Sequence, residues 1–198
     1  MRLMSVKYAN LYYKLGYSTV IYDLRGHGNN LPHFVSMGYN ESKDLACVVE
    51  YLYQKYGSDI QIGLHGESMG SATSILALDY LKDRDIKFCV ADCSYSSIKD
   101  FVKILTKKAK KFPRPIFALI NTINKKKYGY DLNTVRPYIT LENSTVPILL
   151  IHGEEDRLID CWHSQKLFKH SIAPNKQISI FPRADHASAI RTNPKDYE

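Results

Sequence analysis

Residues 60–74 read IQIGLHGESMGSATS, an apolar run that breaks into Gly66-Glu67-Ser68-Met69-Gly70 and continues in small, helix-compatible residues. A serine placed at a sharp strand-to-helix turn is held at strained backbone angles. Glycine two positions to either side lets strand and helix approach without a Cβ clash. The pattern predicts a nucleophile elbow that lifts the Ser68 hydroxyl clear of a sheet. The five residues alone also suit an ordinary turn, so the argument rests on the strand before them and the helix after.

The chain around this turn alternates between two periods. Leu3 to Leu15 has mainly three- and four-residue apolar spacings and ends at Gly16, which predicts a helix with a left-handed cap. Ser18 to Tyr22 is β-branched and apolar and predicts a buried strand, followed by the glycine-punctuated loop Arg25 to Asn30. Glu41 to Tyr56 carries Leu45, Val48, Val49 and Leu52 on one stripe before Gly57, an amphipathic helix. Strands follow at Ile60 to His65, Lys87 to Asp92, Val146 to Gly153 and Gln177 to Phe181, with helices ending near Leu81, across 95–128 with breaks at Pro113 and Pro115, at Cys161 to Ser171, and after Ala187. Five strands alternating with helices predict an α/β fold with a mostly parallel sheet. Val146 to Ile151 is nearly continuous in apolar character, as a parallel strand buried on both faces requires.

At 198 residues, 44% hydrophobic and 24% charged, the chain fits one globular domain. Its apolar runs are too short to span a bilayer and Met1 to Ser5 lacks the apolar core of a signal peptide, so the sequence reads as cytoplasmic. An anchor on a longer amino terminus would change that reading to a membrane-anchored or extracytoplasmic protein. Cys47, Cys89, Cys93 and Cys161 show no C-x-x-C spacing and favour buried free thiols over a metal site or disulfide framework. No cofactor is expected. The net charge of +7 is concentrated: residues 99–127 hold ten Lys or Arg against one acid, Asp100. A nucleic-acid footprint spreads charge along a face with interleaved aromatics, so no nucleic-acid partner is expected.

Three reactive side chains fall at strand ends in the order Ser68, Asp156, His186. With Asp23-x-Arg25-Gly26-His27-Gly28, the elbow, Ala91-Asp92-Cys93, His152-Gly153-x-x-Asp156 and Asp185-His186-Ala187, the chain resembles the α/β-hydrolase family over nearly its whole length, most closely its acyl-esterase and prolyl-oligopeptidase-like branch. The resemblance implies a serine hydrolase of small acyl substrates, acting on esters, or alternatively on peptides and amides. Ser68 would be the nucleophile, His186 its base and Asp156 the acid that orients the imidazole, with the Met69 N–H as an oxyanion donor between elbow glycines Gly66 and Gly70. Glu155 and Asp160 flank Asp156 as alternative acids. His27 precedes the elbow and reads as a structural loop histidine. A non-catalytic member of the fold, acting as a binding module, is the alternative of a different class.

Two further expectations come from the resemblance. Residues 96–140 would form a helical cap inserted in the single domain 1–198; its lysine clusters suit acidic substrates or an anionic membrane surface, and equally suit a solvated helix face. Phe101, Ile104, Leu105, Phe112, Ile116 and Phe117 would line it. The family also sets three more strands before Ser18 to Tyr22 and draws a second oxyanion N–H from the loop after its third strand. The chain is therefore expected to be the partial, carboxy-terminal portion of a longer hydrolase, weak or inactive alone.

Overall fold

A computed structural model describes residues 2–30, 33–109 and 116–197. The chain divides into two compact units, residues 1–36 with 198, and residues 37–197.

The first unit opens with α1 (Arg2–Lys14). The helix closes as expected: Gly16 adopts φ 83°, its N–H donates to the Tyr13 carbonyl at 3.0 Å, and the Tyr17 N–H reaches back to the Tyr12 carbonyl at 2.9 Å. In the following loop, Gly28 takes φ 59°, a conformation strained for any other residue, and a Cβ there would lie 2.2 Å from the Asp23 carboxylate and displace it. Residues 18–22, expected as a strand, make no ladder among the described residues, and Val20 is 57% exposed. A strand exists by its hydrogen bonds to a neighbour. β-branched composition marks only a readiness to be extended.

The second unit is a four-stranded parallel sheet in the order β1 (Ile62–Glu67), β2 (Ile86–Asp92), β3 (Ile148–Gly153), β4 (Lys176–Phe181). Among the described residues, four strands therefore stand where five were expected. Parallel neighbours need crossovers. These are α3 (Met69–Ala77), then α4 (Ile98–Ala109), α5 (Ile116–Tyr128) and α6 (Pro137–Leu141), then α7 (Trp162–His170). Pro113, Pro115 and Phe112 lie outside the described residues. Two short helices, α8 (Ala189–Thr192) and α9 (Pro194–Tyr197), end the chain.

Before the sheet, α2 (Tyr39–Tyr56) packs on α3 and starts two residues earlier than the periodicity suggests. Glu41, fully buried, accepts a hydrogen bond from the Gly38 N–H at 2.9 Å, one half of a capping box, since Gly38 has no side chain to return the other. The core sits between α3, α7 and the sheet, where Ile75, Cys89, Leu150 and Leu167 have no exposed surface. Cys89 and Cys93 are buried free thiols, but Cys47 is exposed on α2, so the expectation of buried cysteines fails there.

The elbow shows which glycine the turn needs. A Cβ on Gly66 would lie 2.1 Å from the Gly70 carbonyl oxygen, whereas one on Gly70 meets no described atom within 4 Å. The close approach of strand and helix is set by backbone at Gly66, while Gly70 points its α-hydrogen into open space. Gly66→Ala should therefore lose about 3 kcal/mol in urea unfolding, since backbone cannot yield as a side chain does. Gly70→Ala should change stability by less than about 1 kcal/mol, or raise it, because alanine favours the helix.

Candidate active site

The carboxyl ends of the strands converge on Ser68. This residue takes φ 55° and ψ −119°, outside the regions open to an ordinary side chain, and its N–H donates to the Asp92 carbonyl at 2.8 Å at the end of β2. The helix behind it consumes the Ser68 carbonyl through the Ser71 N–H at 3.1 Å and Ser71 hydroxyl at 2.5 Å. The strain is thus held from both sides, and the hydroxyl is left facing His186. The Met69 N–H, first in α3, makes no hydrogen bond among the described residues.

The three side chains meet. His186 Nε2 lies 2.9 Å from Ser68 Oγ, and His186 Nδ1 lies 2.7 Å from Asp156 Oδ2. An ionised carboxylate only accepts, so the proton sits on Nδ1 and the Nε2 lone pair faces the serine hydroxyl. The histidine loop is fixed at its base: Asp185 Oδ1 accepts the backbone N–H groups of His186 and Arg157 at 2.7 and 3.0 Å, and Asp185 pairs with the Arg157 guanidinium at 3.3 Å. Those two backbone donors hold the Asp185 carboxyl below its ordinary range.

Asp156 has no free lone-pair direction on either oxygen. Its Oδ1 accepts the N–H groups of Leu158 and Ile159 at 2.9 and 2.8 Å, and its Oδ2 faces His186 and, at 3.2 Å, His152 Nε2. Burial opposes its ionisation, but the hydrogen bonds from His152, His186 and the Ile159 N–H outweigh burial and hold its carboxyl far below the usual range. Glu155, one alternative acid, is exposed to solvent. Neither it nor Asp160 hydrogen-bonds the His186 ring among the described residues. His27 keeps to its own loop, its Nδ1 set 2.9 Å from the Arg25 carbonyl.

Two residues without an assigned role in the sequence reading enter the geometry. His152, fully buried on β3, meets the acceptors Ile159 O at 2.7 Å and Asp156 Oδ2 with Nε2, so that nitrogen carries a proton; Nδ1 receives the Ser164 hydroxyl at 2.7 Å. Cys93, at φ 55°, donates to Asp92 at 3.0 Å and accepts the Ala187 N–H at 3.3 Å, tying the end of β2 to the histidine loop. Sequence signalled both as members of quoted motifs, Ala91-Asp92-Cys93 and His152-Gly153-x-x-Asp156, without giving either a role. Cys93, His152 and Asp156 bring ligand atoms within 4.8 Å of one another. Burial, then the Asp92 charge, pushes the Cys93 thiol up, away from the thiolate a metal needs, and all three groups already hold hydrogen bonds. The donor set does not fit a metal. A cavity of about 340 Å³ lined by Ser58, Asp59, Arg84 and Asp85 opens at the amino ends of β1 and β2, the opposite end of the strands from Ser68.

A sequence profile of the prolyl oligopeptidase family matches residues 4–198. The chain belongs to this family. It is 29% identical over 196 residues to the uncharacterized protein YqkD of Bacillus subtilis, covering 98% of this chain and 64% of the relative. It is 23% identical over 183 residues to the uncharacterized membrane protein YNL320W of Saccharomyces cerevisiae, covering 90% of this chain and 58% of the relative. The chain thus spans about three fifths of the length of these curated relatives. Among solved structures, the esterase Pf2001 of Pyrococcus furiosus superposes with a TM-score of 0.73 at 21% identity, over 96% of this chain and 71% of that one. A monoacylglycerol lipase of Paleococcus ferrophilus gives 0.64 at 21% identity, over 92% and 80%. The fold of this family member is that of the α/β hydrolases, as its motifs imply.

His163 is fully buried on α7, where its Nδ1 accepts the Ser96 N–H at 3.1 Å and its Nε2 has no partner among the described residues. Burial pushes its pKa down to about 4, against the opposing pull of Asp100. The unfolded value is about 6.5. The stability this histidine confers is therefore present above that pH and is lost as pH falls toward its folded value. Between pH 7 and 4.5, urea midpoints should report a loss on the order of 2 kcal/mol from this group. His163→Gln keeps an acceptor without titrating and should flatten that limb; equal slopes in both proteins would remove His163 as the cause.

Proposed function

We propose that this chain carries the catalytic centre of a serine hydrolase that cleaves carboxylic esters through an acyl-enzyme. The observation behind the reading is the continuous hydrogen-bonded path from Ser68 Oγ through His186 to Asp156, at 2.9 and 2.7 Å. As Ser68 attacks the ester carbonyl, its proton passes to His186 Nε2, and the resulting imidazolium is held by the ionised Asp156. His186 then delivers that proton to the departing alkoxide, and a water activated by the same nitrogen releases the acid. The Met69 N–H supplies an oxyanion donor, a contribution worth on the order of 3 kcal/mol in other enzymes.

An ester substrate is favoured by the esterase and the lipase that share the fold. Peptide or amide cleavage is the second reading, and the family's own description favours it. The same relay serves both, since acyl and leaving-group choice come from the walls of the site. The helical insertion 96–140 is proposed as those walls, a cap over the acyl pocket.

Ser68→Ala should lower turnover of p-nitrophenyl butyrate by about a millionfold in kcat, the scale seen when a triad nucleophile is removed. A fluorophosphonate should label Ser68 covalently in the wild type and fail in Ser68→Ala and His186→Ala. A Ser68→Ala protein that keeps the turnover of an active wild type, or that still takes the label, overturns the assignment. Cleavage of a prolyl-p-nitroanilide peptide in preference to the ester selects the second reading.

A further inference from the structure

Helix α5 is inside out. Its buried positions are asparagines: Asn121 donates to Asp131 at 2.8 Å and accepts the Leu132 N–H at 2.8 Å, and Asn124 donates to the Tyr130 carbonyl at 2.7 Å. Lys125 adds an ion pair to Asp131 at 2.6 Å. These bonds fasten the helix to the turn at 130–133 by its polar side. Ile116, Leu119, Ile120 and Ile123 recur at the three- and four-residue spacing of one stripe, the side meant for a core. Yet Leu119 is 61%, Ile123 53% and Ile120 39% exposed. Lys126 and Lys127 continue the same face toward the carboxyl end, both exposed.

We propose that this face of α5 docks flat on an anionic lipid surface. Apolar residues on one side with lysines at its margin are what a helix needs to lie in a headgroup layer, the aliphatic stripe entering the acyl boundary and the ammonium groups meeting lipid phosphates. Charge selects this occupant over a second copy of the chain. A two-fold interface would set this strongly basic segment against a second copy of itself. The segment 99–127 carries a net charge of +9 against +7 for the whole chain, which makes that repulsion general along the insertion. Area selects it over a folded protein partner: one thirteen-residue helix offers far less than the roughly 800 Å² a side that a stable protein interface needs. The placement would deliver the chain to a surface rich in acyl esters, but the binding itself is independent of any chemistry at Ser68.

The 198-residue chain, in its Ser68→Ala form to exclude lipid turnover, is sedimented with vesicles of phosphatidylcholine alone and of phosphatidylcholine mixed with phosphatidylserine. Partitioning onto the mixed vesicles is expected, falling about five-fold for each of Lys126→Gln and Lys127→Gln. It should fall about ten-fold or more for Leu119→Gln/Ile123→Gln, whose side chains are exposed and whose circular dichroism should be unchanged. Equal binding to both vesicle types, or none to either, overturns the proposal. Binding that survives Leu119→Gln/Ile123→Gln assigns the attraction to scattered lysines and also overturns it. A doubled mass in solution that the same double variant abolishes would give the face to a second copy instead.

Discussion

Everything at the carboxyl edge of the sheet is referred to one carboxylate. Asp156 receives two backbone N–H groups on one oxygen and two imidazoles on the other, so its plane cannot turn without breaking several charge-assisted bonds at once. The direction of that plane decides where the His186 ring stands, and the ring decides which way the Ser68 hydroxyl is drawn. The carboxylate is dry on both sides, since its side chain has no exposed surface, yet it stays ionised because each lone pair has a donor. His152 belongs to this arrangement as fully as His186 does. It holds the far side of the same oxygen and is in turn oriented by Ser164 and the Ile159 carbonyl.

What the sequence made legible follows from how local each cause is. The elbow, the strands at 86–92 and 148–153 and the capped end of α1 depend on a few adjacent residues, and they stand within two residues of their expected bounds. The order of Ser68, Asp156 and His186 could be read because each sits just past an apolar run. His152 could not, because nothing in a buried strand ending His-Gly distinguishes a histidine that braces a carboxylate from one that fills space. Ser18 to Tyr22 failed for the complementary reason. A strand is a property of two segments, and its own residues describe only one of them.

The same distinction separates the two elbow glycines. Their positions in the motif are symmetric, but the contact between Gly66 and the Gly70 carbonyl is not: one glycine offers the missing side chain and the other the backbone that needs the room. Helix α5 shows a further limit. Its apolar period reads as a core-facing stripe, and only the pairing of Asn121 and Asn124 with the turn at 130–133 reveals that the polar side faces the protein. Periodicity finds the faces of a helix, whereas the hydrogen bonds of its neighbours decide which one is turned inward.

The sheet's strands lie side by side in the order in which they are synthesised. Each newly emerged crossover can therefore dock on the strand before it as the ribosome releases the chain, at roughly 5 to 20 residues per second. The relay obeys a different clock. Ser68 and His186 are 118 residues apart, and Tyr197, which closes on Asp92 at 2.7 Å, is later still. A nascent chain that already holds the four strands of the described sheet and the strained turn has no imidazole beside Ser68. The hydrogen-bonded path from Ser68 to His186 is therefore completed only after all four strands of the described sheet have been made.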